Sequence, residues 1–314
     1  MSEPGPHAAV LPYWLGRPAS EALAIAREAD RLGYAELWVG EMATFDAFAL
    51  GGAIARETQR IPLTLGPLAL GVRSPVALAL GASSVSELGG RPARLALGAS
   101  SPAIVTGWHG RPHARLAETA SETLAALRPL LRGERNARGF KLRAALPAPE
   151  LTLAAFGARM LGVAAREADR VVLNLVTPAA VREVRAALER EASAAGRACP
   201  RLAVWLAAAH EPNADGIAQL ARQVCVYLAP PGYGEMFRAA GFGALVERAR
   251  AGEPQARLAQ QVPRALLEAV TALGSRSELR ARVSDYAAAG ADEIAVVPVT
   301  AGDDAGTRVL EALA

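Results

Sequence analysis

Lysine and cysteine are nearly absent from this sequence of 314 residues. The only lysine is Lys141, within the polar stretch ERNARGFKLR, so the chain offers no Schiff-base lysine on a buried strand. Pyridoxal-dependent and lysine-aldolase chemistry are therefore disfavoured. The two cysteines, Cys199 and Cys225, stand alone in the sequence, a pattern that indicates neither a disulfide framework nor a zinc site.

Long apolar runs and blocks of like charge are also lacking. No run approaches the length needed to cross a bilayer, and the stretch MSEPGPHAAVLPYWLG lacks the basic region and apolar core of a signal peptide. The net charge is only +3, and the basic residues form no block typical of nucleic-acid binding. We therefore expect a cytoplasmic protein that binds a small-molecule substrate, with no membrane and no nucleic acid as partner.

Short apolar runs, in contrast, recur along the chain, in which 52% of the residues are hydrophobic and 21% are charged. Eight runs are typical of buried strands, at 9–12, 35–40, 61–66, 93–98, 151–155, 170–176, 202–208 and 293–299. Amphipathic stretches typical of helices lie between them, at 20–33, 75–90, 113–131 and 178–196. The alternation predicts an α/β protein, a single (β/α)8 TIM barrel domain over residues 1–314.

Two intervals between the predicted strands are too long for a simple crossover. They predict insertions at about 99–150, after the fourth strand, and at about 209–291, after the seventh strand. The second insertion has room for several helices, around 212–228, 233–250, 255–272 and 277–289. Insertions that follow barrel strands lie at the catalytic face, so both are expected to shape a substrate pocket.

The predicted strand ends lack the common catalytic motifs. No His-x-His follows the first strand, no row of carboxylates follows successive strands, and neither G-x-x-x-x-G-K nor G-x-G-x-x-G occurs. No metal site is therefore expected. Without a metal or a reactive lysine, an organic cofactor becomes the favoured source of chemistry.

Several segments, taken in barrel order, carry a resemblance. They are AELWVGEM, IPLTLGPLALGVRSPVALALGASSVSELGG, ARLALGAS, LTLAAFGARMLGVAAREADRVVLNLVTP and GADEIAVVPV. Together they resemble the bacterial-luciferase-like family of luciferase-like monooxygenases and coenzyme F420-dependent oxidoreductases. The resemblance implies a TIM barrel that binds F420, or alternatively FMN, at its C-terminal face, and that forms a homodimer.

The same resemblance implies cofactor-binding residues at three strand ends. In relatives the third strand carries a bulge with a cis peptide that supports the ring, and the corresponding residues are Gly66, Pro67 and Leu68. A cis bond is least costly before proline. A small-residue turn that binds the cofactor phosphate in the family corresponds to Gly157, Ala158 and Arg159. The remaining candidates are Ser100, Ser101 and Asn174, and the arginines suited to an anionic coenzyme are Arg73, Arg111, Arg115 and Arg159.

One departure from the family affects the proton chemistry. Many relatives have an acidic residue followed by histidine after the second strand, whereas this chain has Glu41 followed by Met42, which cannot transfer a proton. Glu41 or Asp46 could serve as the acid or base, or could be salt-bridged at the barrel rim. His109 is the other catalytic candidate. Trp108 could stack on a planar ring, and the candidate pocket residues are Trp14, Met42 and Trp108.

The resemblance therefore implies a coenzyme F420-dependent oxidoreductase that transfers hydride between the deazaflavin C5 and a small organic substrate. Two alternatives stay open. One is an FMN-dependent luciferase-like monooxygenase, and the other is a flavin- or deazaflavin-binding protein without catalysis, which Met42 would suit. A sugar-phosphate isomerase is more distant, because the segments AHEPNAD and PVTAGDD are too acidic for a phosphate site after the last strands.

Overall fold

The computed structural model describes residues 7–12, 17–18, 20–41, 43–146 and 149–314. The chain forms two compact units. Residues 35–172 with 186–202 form one, called the central unit, and residues 1–34, 173–185 and 203–314 form the other, called the terminal unit. The names refer to the sequence only.

Strands and helices alternate along the described chain as far as β7, and five helices then precede β8. The strands are β1 (Ala8–Val10), β2 (Leu37–Val39), β3 (Leu63–Ala69), β4 (Ala93–Gly98), β5 (Leu151–Ala154), β6 (Arg170–Asn174), β7 (Arg201–His210), β8 (Ala272–Gly274) and β9 (Glu293–Pro298). The helices are α1 (Glu21–Leu32), α2 (Ala47–Glu57), α3 (Pro75–Gly89), α4 (Leu116–Leu131), α5 (Ala158–Glu167), α6 (Pro178–Ala194), α7 (Ala214–Leu228), α8 (Tyr233–Phe237), α9 (Gly243–Arg250), α10 (Gln255–Ala259), α11 (Arg264–Val270), α12 (Arg276–Ala288) and α13 (Thr307–Leu313). Two π-helical segments, Ala103–Trp108 and Arg238–Phe242, and a 3-10 turn, Asp304–Gly306, complete the order.

Each unit is built on a parallel sheet. In the central unit β2 pairs with β3, β3 with β4, β4 with β5 and β5 with β6. In the terminal unit β9 lies between β1 and β7, and β8 pairs with the end of β7. The strands are apolar and almost wholly buried, as strands covered on both faces should be. This parallel βα order is that of a (β/α)8 barrel, so the predicted fold class is confirmed.

The structure also contains α2, α5 and α13, which were not among the predicted helices, and it differs from the prediction in β3 and in the second insertion. The strand predicted at 61–66 does not end at Gly66, because β3 resumes after an irregularity and continues to Ala69. Within the predicted insertion, the helix expected over 255–272 is two short helices followed by β8. A strand of three residues is too short to show a periodic pattern, which is why the sequence missed it.

A buried charge cluster lies at the N-terminal ends of the strands in the central unit. Glu36, just before β2, accepts hydrogen bonds from Arg170 at 2.5 Å and from Arg94 at 2.8 Å, and it also binds the Thr64 hydroxyl. The Arg170 guanidinium lies 4.3 Å from the centre of the Trp38 ring. Since the N-terminal ends of barrel strands serve stability rather than catalysis, we assign this cluster a structural role.

No helix in the described part of the chain is long and apolar enough to span a membrane.

Candidate active site

The C-terminal ends of β2 to β5 lie along one edge of the central sheet, because neighbouring strands there run parallel. Ligands in this fold class bind at that edge. The predicted site residues of the central unit follow these strand ends directly.

The bulge predicted in β3 is present. The Gly66-Pro67 peptide is cis, as predicted, and the register of β3 on β4 shifts between Leu65 and Leu68. Gly66 has φ +124°, and a Cβ there would collide with the carbonyl oxygen of Ala96. Pro67 is partly exposed, whereas the side chain of Leu68 is buried. Of the three predicted residues, only Pro67 has a partly exposed side chain.

The carboxylates predicted after β2 both bind Arg73, which follows β3. Arg73 donates to the two oxygens of Glu41 at 2.7 and 2.5 Å, and to Asp46 Oδ2 at 2.6 Å. The guanidinium also lies 5.5 Å from the centre of the Phe48 ring. Of the two alternatives given by the sequence, an acid–base role or a salt bridge, the structure thus has both carboxylates in salt bridges. Arg73 is correspondingly engaged within the protein, so it is not available as the free cation expected for an anionic coenzyme.

Asp46 is also the N-cap residue of α2. Its Oδ1 accepts hydrogen bonds from the backbone N–H groups of Phe48 and Ala49, at 2.9 and 3.0 Å. Partial burial raises the pKa of Asp46, but the hydrogen bonds from Ala49 and Arg73 outweigh it, and the net pKa is lowered. A carboxyl group with a lowered pKa stays ionised at neutral pH, and so it is a poor proton donor.

Ser100 and Ser101 form the turn after β4. Ser100 is exposed and has φ +57°, a left-handed backbone that a non-glycine residue adopts at a cost of about 1–2 kcal/mol. Strain of this kind is concentrated at functional sites. Ser101 starts the next segment, where its carbonyl oxygen accepts from Val105 N at 2.9 Å and its hydroxyl from Ile104 N at 3.4 Å.

The segment after this turn is π-helical rather than the loop that the sequence predicted. His109 N donates to the Ile104 carbonyl at 3.2 Å, five residues back. Only Val105 in the segment is buried, so no apolar periodicity marked it in the sequence. Trp108, at the end, is 55% exposed, and His109 is exposed as well. Single π-helical turns are rare and frequently lie at functional sites.

The start of α5 is uncapped and has free space beside it. Gly157 precedes the helix with φ +90°, and no side chain caps it. A Cβ added at Gly157 would meet nothing within 4 Å, which shows that the space beside it is free. Ala158 and Arg159 follow and are exposed. The unpaired N–H groups and the positive end of the helix dipole suit a phosphate group, so these residues fit the phosphate of a flavin or deazaflavin.

In the terminal unit, Asn174 ends β6 and contacts two tyrosines. Its Nδ2 donates to the Tyr227 hydroxyl at 2.9 Å, and its backbone hydrogen-bonds the Tyr233 hydroxyl. The tyrosine rings pack edge to face with centres 4.9 Å apart. The sequence predicts Asn174 as a site residue but neither tyrosine, because the tyrosines lie on α7 and α8, about fifty residues away, with no local motif.

Two predicted pocket residues, Trp14 and Met42, lie outside the described residues. Within the described ranges, no three His, Cys, Asp or Glu side chains are grouped as metal ligands. Arg111, Arg115 and Arg159 are exposed and remain predictions for coenzyme contacts, as do the other site residues.

Comparison with known proteins decides the family. Residues 3–293 match the family model described as luciferase-like monooxygenase. The chain belongs to this family. This is the family that the sequence segments predicted.

A relative in Mycobacterium tuberculosis (strain ATCC 25618 / H37Rv) is classed by its name with the coenzyme F420-dependent oxidoreductases. It is 30% identical to this luciferase-like chain over 101 residues. The match covers 32% of this chain and 29% of the relative.

Several solved structures share the fold of this chain. The coenzyme F420-dependent tetrahydromethanopterin reductase of Methanopyrus kandleri has a TM-score of 0.80 at 15% identity, over 98% of this chain and 97% of its own. An F420-dependent secondary alcohol dehydrogenase, in complex with an F420-acetone adduct, has a TM-score of 0.74 at 15% identity, over 98% and 99% of the two chains. The oxygenating constituent of a diketocamphane monooxygenase from Pseudomonas putida, in complex with FMN, has a TM-score of 0.69 at 19% identity, over 98% and 96%.

Proposed function

We propose that the chain is a coenzyme F420-dependent oxidoreductase that transfers hydride between C5 of the deazaflavin ring and a small organic substrate. The observation that carries the proposal is the open start of α5, where Gly157, Ala158 and Arg159 offer N–H groups and a guanidinium to a phosphate. Deazaflavin is favoured over flavin because the relative in M. tuberculosis and two of the similar structures carry F420 in their names.

The protein's part in this function is binding and orientation. The start of α5 holds the coenzyme phosphate, and the bulged backbone of β3 at Pro67 supports the ring. Trp108, exposed on the π-helical segment, covers the planar ring or the substrate by stacking. The coenzyme, when bound, supplies the hydride chemistry at C5. His109 stays one of the candidate acid–base residues given by the sequence, together with Glu41 and Asp46.

The proposal is tested by titrating the purified protein separately with F420 and with FMN while ring fluorescence is followed. We expect selective binding of F420. Arg159→Ala should weaken that binding about tenfold or more, since it removes a hydrogen bond from a charged group to the phosphate. Arg166→Ala is the matched control, because Arg166 lies on the same helix, in its last turn, and faces Glu191 at 3.9 Å. It should bind F420 as the natural chain does.

Each other result of the titration has a definite meaning. Selective binding of FMN contradicts the deazaflavin proposal and favours the FMN-dependent monooxygenase, a function that the FMN-bound diketocamphane relative supports, to be followed by oxygen consumption. Binding of neither contradicts both. Tight F420 binding without reduction of any acceptor in a carbonyl and imine screen would leave a binding protein without catalysis.

A further inference from the structure

The chain's only lysine, Lys141, lies in a compact surface loop of the central unit, residues 132–146, called the basic loop. The loop leaves the end of α4 and returns to it, since Leu146 N donates to the Leu131 carbonyl at 2.8 Å. Leu142 and Leu146 are buried and anchor the returning half. Compact surface loops whose ends lie this close together are frequently functional.

A hydrogen-bonded turn holds the tip of the basic loop. Asn136 Oδ1 accepts from the backbone N–H groups of Arg138 and Phe140, both at 3.0 Å. The Arg135 guanidinium donates to the Gly139 carbonyl oxygen at 2.6 Å. An asparagine side chain that binds its own nearby backbone is typical of a fixed turn. The loop therefore presents its side chains from a well-defined backbone.

The basic loop lines a cavity of about 590 Å³ whose walls carry positive charge. Three of the lining residues are the exposed cations Arg135, Lys141 and Arg143. The half-buried Phe140 adds an aromatic ring. Pockets for small molecules range from about 300 to 1,000 Å³, so this cavity has room for an anion of the size of a nucleotide.

The protein itself neutralises little of this charge. Glu134, the one acidic residue of the basic loop, pairs with Arg132 at 2.8 Å and does not line the cavity. Among the residues that the structure describes, the side chains of Lys141 and Arg143 have no ion-pair partner. Cations that line one cavity without counter-charges repel one another. A bound anion would relieve that repulsion.

The basic loop leaves α4 beside the far end of α5. Arg128, in the last turn of α4, donates to the Glu167 carbonyl at 2.7 Å and to Asp169 Oδ2 at 3.0 Å. Glu167 ends α5, whereas Gly157 precedes its start, about 15 Å away along a helix of ten residues. The cavity is therefore expected at the opposite end of α5 from the proposed position of the coenzyme phosphate.

We propose that the basic loop is a second binding site, for a polyphosphate chain, either inorganic or that of a nucleoside triphosphate. The arginine guanidinium binds phosphate oxygens in pairs, and the lysine ammonium binds them as a point charge. A polyphosphate carries its charges on adjacent groups, which matches three cations on one short loop. Phe140 offers an apolar surface to a base joined to the chain. The site is independent of the proposed function.

Isothermal titration calorimetry of the full chain with sodium triphosphate tests the proposal. We expect one site, with an affinity at least about tenfold above that for citrate at equal ionic strength. Lys141→Ala and Arg143→Ala should each weaken binding about tenfold or more, since each removes a hydrogen bond from a charged group. Lys141→Arg keeps the charge and should retain most of the affinity. Arg222→Ala, which removes an exposed arginine of α7, is the matched control and should bind triphosphate as the natural chain does.

Each other result of the calorimetry has a stated meaning. Equal affinities for triphosphate and citrate overturn the proposal, as does unchanged affinity in Lys141→Ala and Arg143→Ala. Loss of triphosphate binding in Arg159→Ala, with binding retained in Lys141→Ala, would place the anion at the start of α5 and also overturns it. Titration with ATP distinguishes the two sources of the chain. Tighter binding of ATP than of triphosphate supports a nucleotide site, and equal binding supports a site for the phosphate chain alone.

The single lysine allows a second test that needs no substitution. An amine-selective acetylating reagent modifies Lys141 and the α-amino group, and mass spectrometry measures the rate at each position. Triphosphate should slow the acetylation of Lys141 severalfold and leave the α-amino group unaffected, because only Lys141 lines the cavity. Citrate at equal ionic strength should slow neither. An unchanged rate at Lys141 in saturating triphosphate, or equal protection by citrate, overturns the proposal.

Discussion

Gly66 shows how one residue decides the shape of the candidate site. The bulge brings β3 so close to β4 that a Cβ at Gly66 would overlap the Ala96 carbonyl oxygen and would lie 2.6 Å from Leu68 N. Its φ of +124° is also one that L-residues rarely adopt. Both neighbouring atoms belong to the backbone, which cannot move aside as a flexible side chain would.

We expect Gly66→Ala to lower the free energy of unfolding by about 3 kcal/mol or more, because the collision adds to the strain of a positive φ. Gly71→Ala is the control. Gly71, just beyond the same strand, has φ +77° and open space around it, so only the left-handed backbone costs energy there, about 1–2 kcal/mol. Urea unfolding of both variants measures the difference. Equal losses would show that the close approach to Ala96 contributes nothing.

At the scale of an element, α2 depends on one side chain for its start. Asp46 caps the helix through Phe48 N and Ala49 N, and Arg73 joins this cap to the segment after β3. The loop after β2 is therefore held by contacts from two sides. The Asp46 carboxylate, a catalytic candidate in the sequence, therefore stabilises the start of α2 and the loop before it.

Asp46→Ala should destabilise the protein by about 1 kcal/mol, or about 2 kcal/mol at most, because the cap oxygen is lost. Asp46→Asn keeps an oxygen in the same place, and asparagine caps helices as well as aspartate does, so its unfolding midpoint should stay close to that of the natural chain. Thermal and urea unfolding distinguish the two. If both variants lose the same stability, the ion pair with Arg73 matters and the cap does not.

At the scale of the whole molecule, the cluster around Glu36 links stability to pH. Burial raises the pKa of Glu36, whereas Arg170, Arg94 and Thr64 lower it by more, so the net pKa lies below the ordinary value of 4.5. The stabilisation is therefore complete above pH 4.5 and is lost as the pH falls through the lowered pKa. Acid should unfold the protein partly through this group.

Glu36→Gln should cost about 3–5 kcal/mol at neutral pH, because it leaves the buried guanidinium of Arg170 without its main counter-charge. The loss should shrink as the pH falls below 4.5, since the natural carboxylate is then being protonated. Glu134→Gln is the control: Glu134 pairs with Arg132 at 2.8 Å on the surface, where an ion pair contributes less than about 1 kcal/mol. Urea unfolding across a pH series tests both. A difference that grows in acid would contradict the assigned sign.

We also propose that the chain forms a homodimer through α3. Leu80 and Leu88, eight residues apart and so on one face of the helix, are 46% and 53% exposed, and Glu87 is the helix's only charged residue. The double variant Leu80→Glu, Leu88→Glu should be a monomer by sedimentation. Val226→Glu, at an exposed apolar position on α7, should remain dimeric. A monomeric natural chain would contradict the proposal.

The site could be predicted from the sequence where its signals are local. The glycine and proline at 66 and 67 interrupt an apolar run, and the small residues after β5 predict a turn before a helix. The hydrogen bonds from Arg73 to Glu41 and Asp46 have no such local signal, because the partners are about thirty residues apart. Tyr227 is missed for the same reason. Its hydroxyl accepts a hydrogen bond from Asn174, which is about fifty residues away in the sequence.

The sequence by itself determined the alternation of strands and helices, the barrel class and the position of the β3 bulge. It could do so because hydrophobic periodicity and turn residues act over a few neighbouring positions. Only the tertiary structure decided that Asp46 caps α2 while Arg73 binds it, and that the segment after β4 is π-helical. It also decided that the Tyr227 hydroxyl lies within hydrogen-bond distance of Asn174 at the end of β6. Those features depend on which distant side chains packing brings within hydrogen-bond range, and no local pattern encodes that choice.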